Sequence, residues 1–245
     1  MFEFFKKYKK AEPIFEALVT DMHNHLVPMV DDGSRSMTES LQCIRTMQDL
    51  GYKRMYITPH FQFPRFPNNE EDIKRRFEEV KEAAKNEGLE IELIAAGGEY
   101  RIDDSFEKRI DDPHFLLIND RYVLVELSLH QPRMGMEEVI FNLQMKGFEV
   151  ILAHPERYPY LNIHSKTAEH LREQGVLFQL NVLSLDGFYG EAAEHKAQEY
   201  LKAGWADMLG TDLHNTKYAG ALIEASKSCK VRKILEKYQF LNTEL

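Results

Sequence analysis

At 245 residues with a net charge of −9 at neutral pH, the chain is long enough for one sizeable core and too acidic for broad electrostatic binding to nucleic acid. Its 43% hydrophobic and 29% charged residues describe an ordinary globule rather than a disordered chain, and two cysteines, Cys43 and Cys229, exclude a disulfide scaffold. No apolar run approaches the ~20 residues of a membrane span, and the opening MFEFFKKYKK lacks the apolar centre of a signal peptide, so the expected location is cytoplasmic.

In chain order, residues 1–16 read as an N-terminal extension, and ALVTDMHNH (17–25) as a first strand. MTESLQCIRTMQDLG (37–51) is an amphipathic helix closed by glycine, and KRMYITPH (53–60) a strand stopped by Pro59. NEEDIKRRFEEVKEAAKNEG (69–88) carries acids in its first turn and ends on Gly88, as a helix should, before a strand over 91–100. Strands over 121–128, 148–157, 176–182 and 206–215 follow, separated by helices over 136–147, 164–175 and 191–204. Residues 221–238 close as one helix.

Seven strands alternating with helices over short connections predict a parallel sheet with helices outside it, in a single domain over 17–245. The sheet could be open or closed, and the polar residues separate these. Ligand-type side chains stand at the carboxyl ends of six of the seven strands: His23 and His25, His60, Glu99, Glu126, His154, then Asp212 with His214. Asp32, in the loop after the first strand, belongs with them. An open sheet would spread these residues along a line, whereas a barrel gathers them on one rim, where barrel enzymes keep their chemistry. The expected fold is therefore a distorted, TIM-like (β/α)7 barrel of the α/β class.

Each residue also has a plainer reading: His60 as a strand cap, His154 as a turn histidine. Glu126 inside YVLVELS is harder to dismiss, because a carboxylate in an apolar strand is costly unless paired or metal-bound. Imidazole and carboxylate without thiolate suit zinc, manganese, iron or cobalt, and nine candidates exceed what one tetrahedral ion can use. Glu99 could bridge two ions, and Asp21 is spaced to orient an imidazole. His114, His130, His164, His170 and His195 lack this placement. The loop HFQFPRFPNN could grip an aromatic ring through Phe61 or meet an anion through Arg65; packing against the next helix explains its aromatics as well.

The ordered motifs T-D-x-H-x-H, D-D-G-S, T-P-H, G-G-E-Y, V-E-L-S, A-H-P-E-R-Y and T-D-x-H-N, spread over residues 19–216, resemble those of the polymerase and histidinol phosphatase superfamily. D-D-G-S and H-P-E-R-Y point within it to the manganese-dependent bacterial tyrosine phosphatases of capsule and exopolysaccharide operons. The resemblance implies three divalent ions. His23, His25, Glu99 and Asp212 would hold one; Glu99, Glu126 and His154 a second; Asp32, His60 and His214 a third. It also implies Arg157 as a phosphate-binding arginine, with Arg157, Asp32 and His60 as catalytic residues. The implied substrate is a phosphotyrosine protein, a membrane-associated bacterial tyrosine kinase. One departure stands out: the family often carries another arginine after D-x-H-N, where this chain has NTKYAG, with Lys217 the nearest cation.

Cysteine-based phosphotyrosine hydrolysis needs an arginine six residues after the nucleophile, but Asp49 and Leu235 stand there, so that route is excluded. The implied reaction uses hydroxide supplied by metal-activated water. Three divalent ions would outweigh the four acids and make the rim attractive to phosphate on an otherwise acidic protein. A small-molecule phosphoesterase, such as a histidinol phosphatase, stays open as an alternative, as does a catalytically inactive scaffold that docks on a kinase.

Overall fold

A computed structural model describes residues 12–111 and 114–245. Most of the segment set apart as 1–16 lies outside the described residues. Within them, Ile14–Ala17 forms a 3-10 turn whose Phe15 is buried and stacks on Tyr52 at 5.5 Å.

The regular elements are, in order, β1 (Thr20–Asp21), α1 (Met37–Asp49), β2 (Arg54–Ile57), β3 (His60–Phe61), α2 (Glu70–Asn86), β4 (Glu92–Ala96), β5 (Glu99–Arg101), α3 (Asp104–Arg109), β6 (Tyr122–Glu126) and α4 (Met136–Met145). They continue with β7 (Glu149–Ala153), α5 (Lys166–Glu173), β8 (Leu177–Asn181), α6 (Glu191–Ala203), β9 (Met208–Gly210), α7 (Thr216–Ala225) and α8 (Cys229–Lys237). Among the described residues the named strands all pair in parallel, in the orders β1-β2-β4 and β3-β5-β6-β7-β8-β9.

These two sheets are parts of one barrel. β3 continues β2 across Thr58-Pro59, where proline offers no ladder N–H. β5 continues β4 across Gly97-Gly98, where a Cβ on Gly97 would meet Thr58 Cγ2 at 2.9 Å and one on Gly98 the Tyr100 ring at 2.7 Å. The seam closes where Asp212 N–H donates to His23 O (2.8 Å) and His25 N–H donates to Leu213 O (2.9 Å). The chain thus forms the α/β barrel of seven staves that strand–helix alternation predicts.

Period-2 alternation explains why this barrel carries polar residues at one end. Along β6, Tyr122 and Leu124 pack inside with Met22, Tyr56, Ile151 and Met208, while Val123 and Val125 join the outer cluster beneath the helices. Glu126 is the next residue on the inner face. β8 repeats the pattern, with Leu177 below and Gln179 and Asn181 above. The opposite end is closed by the turn Leu241–Glu244. There Asn242 Nδ2 donates to Thr20 O (3.0 Å) and Leu209 O (2.7 Å), its Oδ1 accepts from Leu209 N–H (2.9 Å), and Leu245 is buried.

Several elements differ from the sequence reading. The first strand pairs regularly with β2 only at Thr20 and Asp21; beyond it the backbone bonds alternate, Asn24 O accepting from Thr58 N–H (2.8 Å) while His23 and His25 bond to the segment after β9. The strand expected over 148–157 stops at Ala153, because His154 takes a left-handed conformation at φ 36°. The single closing helix is two, interrupted at Ser226–Ser228, where Ser226 Oγ donates to Ile223 O (2.7 Å). The unanticipated α3 is capped by Asp103, whose Oδ1 accepts from Ser105 and Phe106 N–H.

Candidate metal centre

Strand ends deliver eight of the nine candidates to one place, and the loop after β1 brings Asp32 to join them. His23 and His25 follow β1, His60 opens β3, Glu99 opens β5 and Glu126 ends β6. His154 follows β7, and Asp212 and His214 follow β9. Glu99 is fully buried at the middle. Its Oε2 lies 3.3 Å from His23 Nε2, 3.3 Å from His25 Nε2 and 2.9 Å from His60 Nδ1, and its Oε1 lies 3.1 Å from His154 Nε2. Asp212 Oδ1 stands 3.7 Å from His23 Nε2, 3.4 Å from His25 Nε2 and 3.3 Å from His214 Nδ1. Glu126 Oε1 is 3.6 Å from His60 Nδ1. Asp32 Oδ1 reaches His60 Nε2 (3.4 Å) and His214 Nε2 (3.6 Å) at the open side, with 42% of its side chain exposed.

The close groups are His23–His25–Asp212, His23–Glu99–His154, His60–Glu99–Glu126 and His25–His60–His214. They overlap, whereas motif matching divides the donors into three sets: here His60 stands with Glu99 and Glu126 as well as with His214. Glu99 turns one oxygen to each side, the placement a shared ligand requires.

The imidazoles are held from behind. His23 Nδ1 pairs with Gln179 Oε1 (2.7 Å), His25 Nδ1 with Asp31 Oδ2 (2.9 Å) and His214 Nδ1 with Asp212 O (2.8 Å), which leaves each Nε2 for the cage. Asp31 also accepts from Gly33 N–H and His60 N–H, both at 2.9 Å, and so fixes the loop that carries Asp32. Asp21 does not orient an imidazole. It accepts from Asn24 Nδ2, Thr211 N–H and Thr211 Oγ1, tying the barrel seam. A Gln179→Leu variant, which leaves His23 Nδ1 without its partner, is expected to lose about 10- to 100-fold in metal affinity. Competition with a chromogenic chelator measures this, and unchanged affinity would show that Gln179 does not matter.

Burial and charge together make the cage cation-seeking. Burial opposes ionisation of Glu99, yet His23, His60 and the His154 hydrogen bond hold it well below the usual carboxylate range. Asp212 is buried too and is pulled down by His214, His25 and His23. Burial disfavours imidazolium at His23, but Glu99 and then Asp212 overcome it and raise the group to about 9. Burial and the neighbouring Glu99 charge push Glu126 up, and burial pushes His154 down to about 4. Glu99 Oε2 and His60 Nδ1 face each other while neither has a hydrogen-bond partner. A buried carboxylate oxygen ringed by imidazole nitrogens fits a divalent cation of the zinc–manganese–iron class, and the nitrogen–oxygen donor set is of that kind.

The expected substrate groups lie at different depths. Arg157, in the 3-10 turn after β7, donates from Nη1 to Asp212 Oδ2 (2.9 Å), and its guanidinium covers the Tyr189 ring at 4.4 Å. Buried Glu156 fixes that turn by accepting from Asn181 N–H (2.9 Å) and Ser184 Oγ (2.6 Å). Arg65 donates to Asp32 Oδ2 (2.9 Å) and lies over Phe66, which stacks on His60 at 5.4 Å. Phe61 is buried and stacked on Tyr100 at 4.6 Å, at the floor of a cleft of about 360 Å3 that Phe63, Phe66 and Pro67 also line. Lys217 is exposed on the first turn of α7, where its backbone N–H donates to Asn215 Oδ1 (3.1 Å). Asp31, Gln179, Asn181, Tyr189 and Arg101 all touch the site and were not singled out by sequence.

A parallel barrel with buried imidazoles and carboxylates caged at the carboxyl ends of its strands defines a metal-dependent hydrolase. The family model for capsular polysaccharide synthesis, CpsB/CapC, matches residues 19–240. The chain belongs to this family. It is 31% identical over 202 residues to the tyrosine-protein phosphatase CpsB of Streptococcus pneumoniae, covering 80% of this chain and 82% of the relative. It is 27% identical over 199 residues to the tyrosine-protein phosphatase YwqE of Bacillus subtilis, covering 80% and 78%. A crystal structure from the work on YwqE and CpsB, described as unique metal-dependent tyrosine phosphatases, shares the fold at a TM-score of 0.75 and 24% identity, over 89% of this chain and 91% of that one. Histidinol phosphate phosphatase from Lactococcus lactis, solved with zinc, histidinol and phosphate, shares it at 0.52 and 15% identity, over 90% and 95%.

Proposed function

We infer that this chain is a metal-dependent protein tyrosine phosphatase of capsule-type polysaccharide systems. The observation that carries it is Glu99, buried among four imidazoles at the rim while an arginine stands beside the neighbouring Asp212. Our finer reading is three ions per chain, manganese by preference, held by His23, His25, Asp32, His60, Glu99, Glu126, His154, Asp212 and His214. The substrate is a phosphotyrosine segment of a membrane-associated bacterial tyrosine kinase, met at the cytoplasmic face. Among the described residues no helix is long and apolar enough to cross a membrane. We read residues 17–245 as one catalytic unit, supported by the seam that joins its first and last strands.

Divalent ions bound in the cage would polarise phosphoryl oxygens and acidify water at neutral pH. The chain supplies the rest. Arg157 keeps donors free for the non-bridging oxygens while its pair with Asp212 and its stacking on Tyr189 hold the guanidinium in place. Asp32 and His60 stand at the open side, where the ester arrives, and Arg65 steadies Asp32. Phe66 on His60 and Tyr218, 5.3 Å from His214, give that opening aromatic walls suited to a phenyl ring. A phenolate is a fairly good leaving group, so the site can do without a strong general acid.

Protein reconstituted with manganese is expected to hydrolyse a phosphotyrosine peptide much faster than histidinol phosphate, and to stop when chelated. Faster turnover of histidinol phosphate would replace this reading with the small-molecule one. Chelator-insensitive hydrolysis would remove the metal from it, and absence of any hydrolysis would leave a docking scaffold. Elemental analysis of protein purified without added metal checks the number and identity of the ions.

A further inference from the structure

Arg101 closes β5 two residues after Glu99, so strand alternation sends both side chains to one face. Its Nη1 lies 3.3 Å from Glu126 Oε1, and 19% of its side chain remains exposed. It also lines a cleft of about 730 Å3 together with Gln62, Phe63, Lys108 and Arg133. Phe63 stands 65% exposed at this cleft and at the neighbouring one that Phe66 borders. Across the cage Arg157 has the matching arrangement: one nitrogen on Asp212 and 22% of its side chain exposed. A guanidinium carries five N–H donors, and pairing through one nitrogen leaves others to meet an anion.

We propose that Arg101 is a second phosphate-binding guanidinium, placed where the cleft meets the cage, so that the phosphoryl group is gripped from the Glu126 side as well as the Asp212 side. This rests on the phosphatase reading above and deepens it. It also answers the departure in NTKYAG: the second cation comes from β5, ahead of the metal ligands Glu126 and His154 in the chain, while Lys217 stays on the exposed turn of α7. The competing role for Arg101 is that of a counter-ion, which would hold Glu126 ionised and never touch substrate.

Inorganic phosphate separates these roles. Its binding to metal-loaded wild type, Arg101→Lys and Arg101→Ala is measured by calorimetry, with bound metal determined on the same samples. The lysine variant keeps a positive charge beside Glu126 but loses the planar fork. Phosphate affinity is expected to fall about tenfold or more in Arg101→Ala, and to fall clearly in Arg101→Lys, at unchanged metal content. The Michaelis constant for a phosphotyrosine peptide should rise in the same order. Wild-type phosphate affinity in the lysine variant, or a loss in the alanine variant that merely follows lost metal, would overturn the proposal. Should the alanine variant fail to fold, the lysine comparison decides. Wild-type protein that binds phosphate but leaves phosphotyrosine intact counts against the phosphatase reading, not against Arg101.

Discussion

Glutamine in place of Glu99 is expected to lower kcat/KM on a phosphotyrosine peptide by roughly a thousandfold or more and to lower bound metal in step. The substitution preserves shape, so its effect is chemical. Oε1 faces His154, and Oε2 faces His23, His25 and His60. An amide must turn its NH2 toward one of these sets, and a donor there meets the nitrogens that should share a cation. The loss of one negative charge also removes what stabilises positive charge in a site with no exposed surface at Glu99. Elemental analysis of the purified variant, read beside the peptide assay, checks both halves. Full metal content with wild-type turnover would falsify the central place given to Glu99.

The same residue shows how much of this molecule can be read from its sequence. Strand–helix alternation is enough to order the staves, and the ligand-type residues at their carboxyl ends are enough to choose a barrel. Glu126 illustrates why: it continues the inner face that Tyr122 and Leu124 establish, so an acid in an apolar strand marks the point where interior packing gives way to chemistry. What orients the ligands was less legible. Gln179 and Asn181 sit two apart in an otherwise apolar strand and did carry a signal, but their partners, His23 Nδ1 and Asp212 Oδ2, depend on neighbouring strands and their register. Asp31 and Asp32 are adjacent and chemically equal. The backbone turn sends Asp31 behind His25 and Asp32 to the open side of the cage, with one oxygen toward His60 and His214 and the other on Arg65. Asp21 has the spacing of an imidazole partner, yet its Oδ1 and Oδ2 are taken up by Thr211 and Asn24.

Arg157→Ala is expected to lower kcat/KM by about 10²- to 10³-fold while bound metal stays at the wild-type level. Two effects compete here. Removing the guanidinium takes donors from the phosphoryl oxygens, and it also takes a partner from Asp212, whose displacement could empty the cage. Asp212 divides these tasks between its oxygens. Oδ1 faces His23, His25 and His214, while Arg157 contacts Oδ2. Oδ2 keeps two further donors, Asn181 Nδ2 at 2.8 Å and Tyr189 OH at 3.3 Å. The oxygen that faces the imidazole cage therefore stays in place when Arg157 is lost, and the activity term wins. Arg157→Lys should recover only a part of the rate, because an ammonium restores charge without the two-pronged fork. Parallel kinetics and metal analysis on both variants provide the test. A loss of metal with unchanged activity per bound ion would reassign Arg157 from holding phosphate to holding Asp212.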